Sequence, residues 1–150
     1  MIEPRAPLGD GLAEVVGKQL AALVEHEPAV RTGADPEALH RARVAVRRLR
    51  AALKFFAPAL PARARAQLDR ELRWLGRALA PVRDLDVQIE RYATDAATGS
   101  AGKELLDWLD GERTSARSAM LAALDSARLP RLRARLERLA AGREPLLRAA

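Results

Sequence analysis

The chain has 150 residues, 49% of them hydrophobic, 31% charged and only 3% aromatic, the make-up of one compact domain long enough to bury a core. Ala, Leu and Arg far outnumber Val and Ile, so the expected fold is all-α. The absence of Cys excludes disulfides and thiolate metal or redox sites. The start, MIEPRAPLGD, carries acid and Pro where a signal peptide would be apolar, and no uncharged run approaches the roughly 18 residues of a membrane span. A cytoplasmic protein with no membrane partner is expected.

The elements follow in chain order. Leu12, Val15, Val16, Leu20 and Leu23 predict a first helix ending near Glu27-Pro28, followed by a loop from Arg31 to Ala34. Asp35-Pro36-Glu37 is a helix start in which Asp35 caps, Pro36 occupies the first turn and Glu37 meets the positive dipole end. That second helix should run to about Ala57-Pro58. A third begins after Pro61, with Leu68, Leu72, Leu75 and Leu79 on one face, and Pro81 should kink it or start a new helix from Asp84 to about Ala93. Thr94 to Gly102 reads as a loop with Gly99-Ser100 at its tip. Leu105, Trp108, Leu109, Met120, Leu121 and Leu124 mark a long helix weakened in its middle by Gly111. A last helix starts near Pro130 on Leu129, Leu132, Leu136 and Leu139, and the chain is expected to fray after Gly142. The whole reads as one antiparallel bundle of five to six helices, with its core between about residues 12 and 140.

The formal charge of +6 is modest but uneven. Between Arg41 and Arg83 twelve basic residues face only two acids, Asp69 and Glu71, a local balance of +10, whereas the rest of the chain nets −4. Of the basic residues 23 are Arg, whose planar fork suits phosphate oxygens. With His40 at zero on a helical wheel, Arg43, Arg47, Arg50 and Lys54 fall at about 300°, 340°, 280° and 320°. The main apolar arc of that helix lies at about 140° to 240°, and Val44 and Phe55 lie at about 40° to 60°. A basic stripe with apolar residues on both sides fits a groove better than a plain solvated face. Arg41 and Arg48 lie on an ordinary solvated face by the same wheel.

Arg70, Arg73 and Arg77 repeat the device on the third helix, with Trp74 beside the arc. If the two helices pack antiparallel through their leucines, their stripes meet across one groove, with Arg83 added near Pro81. Gathered cations of this kind call for a polyanion. The stripe Arg128, Arg131, Arg135 and Arg138 has similar spacing beside a single leucine face and reads as solvated surface. Asp84 and Asp86 point about 200° apart on a helix, so Asp84 is expected to cap a helix or hold a nearby Arg rather than share a metal. His26 has no partner at ligand spacing. No phosphate loop, metalloprotease motif or recognisable nucleophile is present, so neither an enzyme nor a cofactor can be read from the residues.

The run His40-x-x-Arg43-Val44-x-x-Arg47-Arg48-Leu49-Arg50-Ala51-x-Leu53 is followed by Glu71-Leu72-Arg73-Trp74-Leu75-Gly76 and by Val82-Arg83-Asp84-Leu85-Asp86-Val87. Together they resemble the CHAD domain, the conserved histidine α-helical domain, over most of the chain from about Leu12 to Leu139. The resemblance implies an all-helical domain that binds inorganic polyphosphate through basic residues lining a central cleft, without catalysis; the reading preferred here is a polyphosphate-binding module that targets the protein to polyphosphate granules. By position it implies His40, Arg43, Arg47, Arg50, Lys54, Arg73, Arg77 and Arg83 as contacts. Family domains resemble two related helical halves, and only the first can be placed here, so either a homodimer rebuilds the cleft or the chain carries half a site. The alternative from a different class is a nucleic-acid-binding or helical adaptor protein, which would ordinarily want more stacking aromatics than Trp74 beside the patch.

Overall fold

The computed structural model describes residues 6–95 and 99–142. Within them lie α1 (Ala6–Thr32), α2 (Pro36–Phe55), a 3-10 turn (Ala57–Ala59), α3 (Ala62–Asp95), α4 (Ser100–Leu124) and α5 (Arg128–Ala140), and no strand. Helix α2 packs between α1 and α3, α4 folds back along α3, and α5 lies against α1 with lighter contacts to α3 and α4. The expected all-α bundle is the fold. Leu12 and Val16 of α1, Leu49 and Leu53 of α2, Leu68, Leu72, Leu75 and Leu79 of α3, Met120 of α4 and Leu132, Leu136 and Leu139 of α5 form its dry interior.

Proline placement is where the helices depart from the sequence reading. α1 does not stop at Pro28 but continues to Thr32, because the ring is exposed while Val30, half a turn on, is buried. α3 likewise runs unbroken through Pro81, which faces solvent between buried Leu79 and Val82, so no new helix begins at Asp84. An interior proline costs one hydrogen bond and crowds a carbonyl. Here packing on the opposite face outweighs that cost. Pro130 is different: it is the third residue of α5, where backbone donors lack intrahelical partners anyway, so α5 starts at Arg128 rather than near Pro130.

α2 opens as expected, with the Asp35 carboxylate accepting from the Glu37 N–H at 3.0 Å. It ends at Phe55, short of Ala57-Pro58, because the residue before a proline disfavours the α conformation and the chain tightens into the 3-10 turn. The expected loop from Thr94 to Gly102 is shorter, since Thr94 and Asp95 belong to α3 and Ser100 to α4. Residues 96–98, like the expected fraying beyond Gly142, lie outside the described residues. Leu105 and Trp108, expected on the apolar face of α4, are exposed, and Leu109, Met120 and Leu124 are the residues it buries.

Two long-range arginines lock the helix ends. Arg117 of α4 donates to the carbonyls of Val30 (3.3 Å) and Arg31 (2.8 Å) at the end of α1. In return Arg31 donates to the Leu124 carbonyl (3.1 Å) at the end of α4 and to Asp125 just beyond, and the bond to Asp125 is the main cause of its raised pKa. Cations at helix C-termini also meet the negative end of the dipole. α1 closes on Gly33, whose φ of 71° lies in the left-handed region, with its N–H bonded to the Ala29 carbonyl. A Cβ at Gly33 would stand 2.5 Å from the Arg117 guanidinium.

The stripe on α5 is not plain solvated surface. Arg128 donates twice to the Glu71 carboxylate, at 2.6 and 3.0 Å, and its guanidinium lies 4.7 Å from the centre of the Trp74 ring. It thereby clamps α5 to α3 through a bidentate pair and a cation–π contact. Arg135 reaches Gln67 at 3.4 Å. The Arg128 bond holds the Glu71 carboxyl below its ordinary pKa.

Two predictions follow from these contacts. Gly33→Ala should destabilise the protein by about 1–2 kcal/mol for the left-handed backbone alone, whereas Gly111→Ala, in open space inside α4, should stabilise it by about 0.5–1 kcal/mol; urea denaturation checks both. The depressed pKa of Glu71 means its stabilisation is present above the ordinary carboxylate range and lost as pH falls through its lowered value. Glu71→Gln should therefore be less stable than the parent at neutral pH, and the gap should close in acid. Melting temperatures recorded from pH 7 to pH 3 test this.

Candidate anion-binding groove

α2 and α3 pack antiparallel through Val46, Leu49 and Leu53 on one side and Leu68, Leu72 and Leu75 on the other, leaving their polar edges side by side. Between those edges is a cavity of about 430 Å³. Arg43, Arg47 and Arg50 of α2 and Arg73 and Arg77 of α3 rim it, over a floor of Val46, Leu72, Gly76 and Ala80. A second cavity of about 430 Å³ continues along the same helix pair, with Lys54, Arg65 and Asp69 on its walls. The two share Arg50 and Arg73, so they are one groove with a waist.

Asp69 forms that waist. Its Oδ1 accepts from Arg50 Nε at 3.0 Å and its Oδ2 pairs with Arg73 Nε at 2.9 Å, one carboxylate bridging the two walls. Because each arginine is held by Nε, its terminal nitrogens stay available to another anion. At the far end Asp84 pairs more loosely with Arg43, at 3.8 Å, which is the holding role expected of it; with α3 unbroken, its capping role falls away. Among the described residues Arg47 and Arg77 have no ion pair. Five arginines thus line the first cavity against two carboxylates, and the excess charge sits in the middle. Cations in this arrangement repel one another until an anion enters.

Six of the eight expected contacts, Arg43, Arg47, Arg50, Lys54, Arg73 and Arg77, line this groove. Arg83 is half-buried and lies two turns beyond Gly76 on the same side of α3, outside both cavities. His40 lines a different cavity, between α1 and α2, together with Arg41 and Arg48. Trp74 faces Arg128 rather than the groove. Asp84 and Asp86 diverge: Asp86 is buried and bonded by Arg113 of α4, with its Oδ2 left without a hydrogen-bond partner. Among the described residues no group of three or more His, Cys, Asp or Glu is placed to hold a metal ion, and no helix is long and apolar enough to cross a membrane.

Sequence reasoning missed Asp69 and Arg65. The signal for Asp69 was available in its four-residue spacing from Arg73, the ordinary helical ion-pair interval. Its reach to Arg50 depends on how α2 and α3 register against each other. If Asp69 offsets the repulsion between the walls, Asp69→Asn should lose roughly 0.5–1 kcal/mol, a modest figure because all three side chains are partly exposed. The loss should shrink in high salt. Urea denaturation at low and high sodium chloride checks it.

Comparison with known proteins supplies an independent line. The family model described as CHAD domain matches residues 14–150. The solved structure of PptA from Streptomyces chartreusis is similar to this chain with a TM-score of 0.74 and 29% identity, covering 95% of this chain and 52% of PptA. The chain spans about half the length of that relative. No curated protein matches significantly. The motifs that carried the resemblance lie on α2 and α3, the two walls of the groove, and the match extends through the rest of the bundle: the chain belongs to the CHAD domain family.

Proposed function

We propose that this chain is a non-catalytic module that binds inorganic polyphosphate along the groove between α2 and α3, and that binding targets it to polyphosphate granules. The observation that carries the reading is the set of five arginines from two helices rimming one cavity, two of which, Arg47 and Arg77, have no ion pair among the described residues. Polyphosphate is a flexible chain with about one charge per phosphate, so neighbouring units can engage neighbouring arginines at once. Multivalency then favours long chains over short ones. Family membership supports the same ligand class.

Nucleic acid is the weaker reading. Among the described residues no aromatic side chain lines either part of the groove. Phe55, 74% exposed, follows Lys54 but points about 100° away from it around α2. We extend the proposal to a homodimer in which a second copy faces its own basic wall toward the same polyphosphate chain, neutralisation of the walls then strengthening the pair. The cytoplasm is the compartment this reading calls for.

Calorimetry with long-chain polyphosphate, pyrophosphate, single-stranded RNA and duplex DNA tests the reading. Long-chain polyphosphate should bind most tightly, with affinity falling steeply as salt rises. Arg47→Ala and Arg77→Ala should each weaken binding about fivefold, the equivalent of about 1 kcal/mol, while Arg138→Ala, on the exposed side of α5, should leave it nearly unchanged. Equal affinity for pyrophosphate, or equal losses from all three variants, would defeat the groove. Sedimentation with polyphosphate should show the dimer; a monomer binding at full strength would confine the site to one copy.

A further inference from the structure

The first half of α4 carries a face that the bundle does not use. Trp108 is 61% exposed and Leu105, one turn before it, 38% exposed, although the adjoining Leu109 is buried. With Trp108 at zero on a helical wheel, Glu104 and Glu112 fall about 40° to either side, and Leu105 and Gly111 about 60°. Gly111 adds no side chain, and nothing stands within 4 Å of the place its Cβ would take. The face is therefore an apolar crest with a carboxylate one turn before it and another one turn after.

Charge selects what can cover that crest. From Ser100 to Glu112 the acids Glu104, Asp107, Asp110 and Glu112 stand against one base, Lys103. Among the described residues these four acids have no ion pair, whereas Arg113, just beyond, is taken by Asp86 of α3. An exposed indole among unpaired carboxylates repels anionic lipid and polyphosphate alike and attracts a basic partner. The groove between α2 and α3 has the complementary build, with arginines on its rim and Val46, Leu72, Gly76 and Ala80 on its floor. Glu104 and Glu112 are about 12 Å apart along α4, and Arg43 and Arg50 about 10–11 Å apart along α2. Leu109 and the Arg113–Asp86 bond hold α4 along α3 with the crest outward, so the groove it meets is that of another copy.

We propose that, without polyphosphate, the α4 face of one copy docks into the α2–α3 groove of a second copy, Glu104 and Glu112 on the rim arginines and Trp108 on the apolar floor. The inference rests on the groove being the anion site of the proposed function, and it gives that site a competitor built into the chain. Face and groove are different surfaces, so the contact is heterologous. It is distinct from the polyphosphate-bridged pair, because the polyanion releases it: a chain of many charges takes the arginines from a helix that offers two.

Sedimentation and tryptophan emission of the full chain at low salt test this. The mass should rise with protein concentration while the emission shifts to the blue, and long-chain polyphosphate should reverse the shift. Trp108→Ala, at an exposed position that leaves the core intact, should weaken self-association about tenfold or more, and its remaining signal, from Trp74, should stay constant. Arg47→Ala/Arg77→Ala should weaken it similarly. Mixed together, these two variants should form a one-to-one complex, since one keeps the face and the other the groove. A monomeric parent, undiminished association of Trp108→Ala, or a mixture that stays apart would overturn the docking. Polyphosphate titrated into Trp108→Ala separates the two readings: tight binding there leaves the groove standing whatever α4 does, and absence of binding defeats the groove itself.

Discussion

Everything about the charged surface depends on how α2 is packed. This helix is covered on two sides, by α1 and by α3, and buries Ala38, Leu39, Ala42, Ala45, Val46, Leu49, Ala52 and Leu53 in one broad arc. Four of those eight are alanine, so neighbouring backbones can come close and the remaining arc toward solvent is bordered on each side by another helix. Charged side chains that would spread over water on a lone amphipathic helix emerge into the two crevices beside α2. Arg43, Arg47 and Arg50 enter one, and His40, Arg41 and Arg48 the other.

Arginine does two kinds of work in this chain, and its partners separate them. Arg31, Arg113, Arg117 and Arg128 reach across to carbonyls, carboxylates or an aromatic ring on other helices and tie the bundle together. Arg47 and Arg77 sit among like charges, and no carboxylate among the described residues pairs with them. The two acids of the strongly basic segment, Asp69 and Glu71, are adjacent in spacing yet divided in task. Asp69 bridges the groove walls, and Glu71, two residues on and around the helix, anchors α5. Such division follows from helical geometry, because residues two apart face nearly opposite ways.

The groove was legible in the sequence to the extent that it is a local property. Arg43, Arg47, Arg50 and Lys54 recur at helical intervals, as do Arg73 and Arg77, so their common faces follow from 100° per residue once the helices form. What the wheel cannot supply is the neighbour. His40 lies at the border between two crevices, and only the position of α1 decides that it lines the cavity with His26. Arg128 has the spacing of a solvated stripe, and its engagement depends on Trp74 and Glu71, more than fifty residues away. The prolines fail for the same reason: local chemistry at Pro28 and Pro81 says stop, whereas burial of Val30 and Val82 says continue.

The reciprocal arginine bonds at the ends of α1 and α4 bear on how the bundle opens. Helix ends ordinarily fray independently, each exposing its last carbonyls at little cost. Here the last turn of α1 holds the guanidinium that covers α4, and α4 supplies the one that covers α1. Neither terminus can unwind without stripping the other of its cover, so two segments almost a hundred residues apart in the chain become one unit of local unfolding, with shared protection against amide exchange.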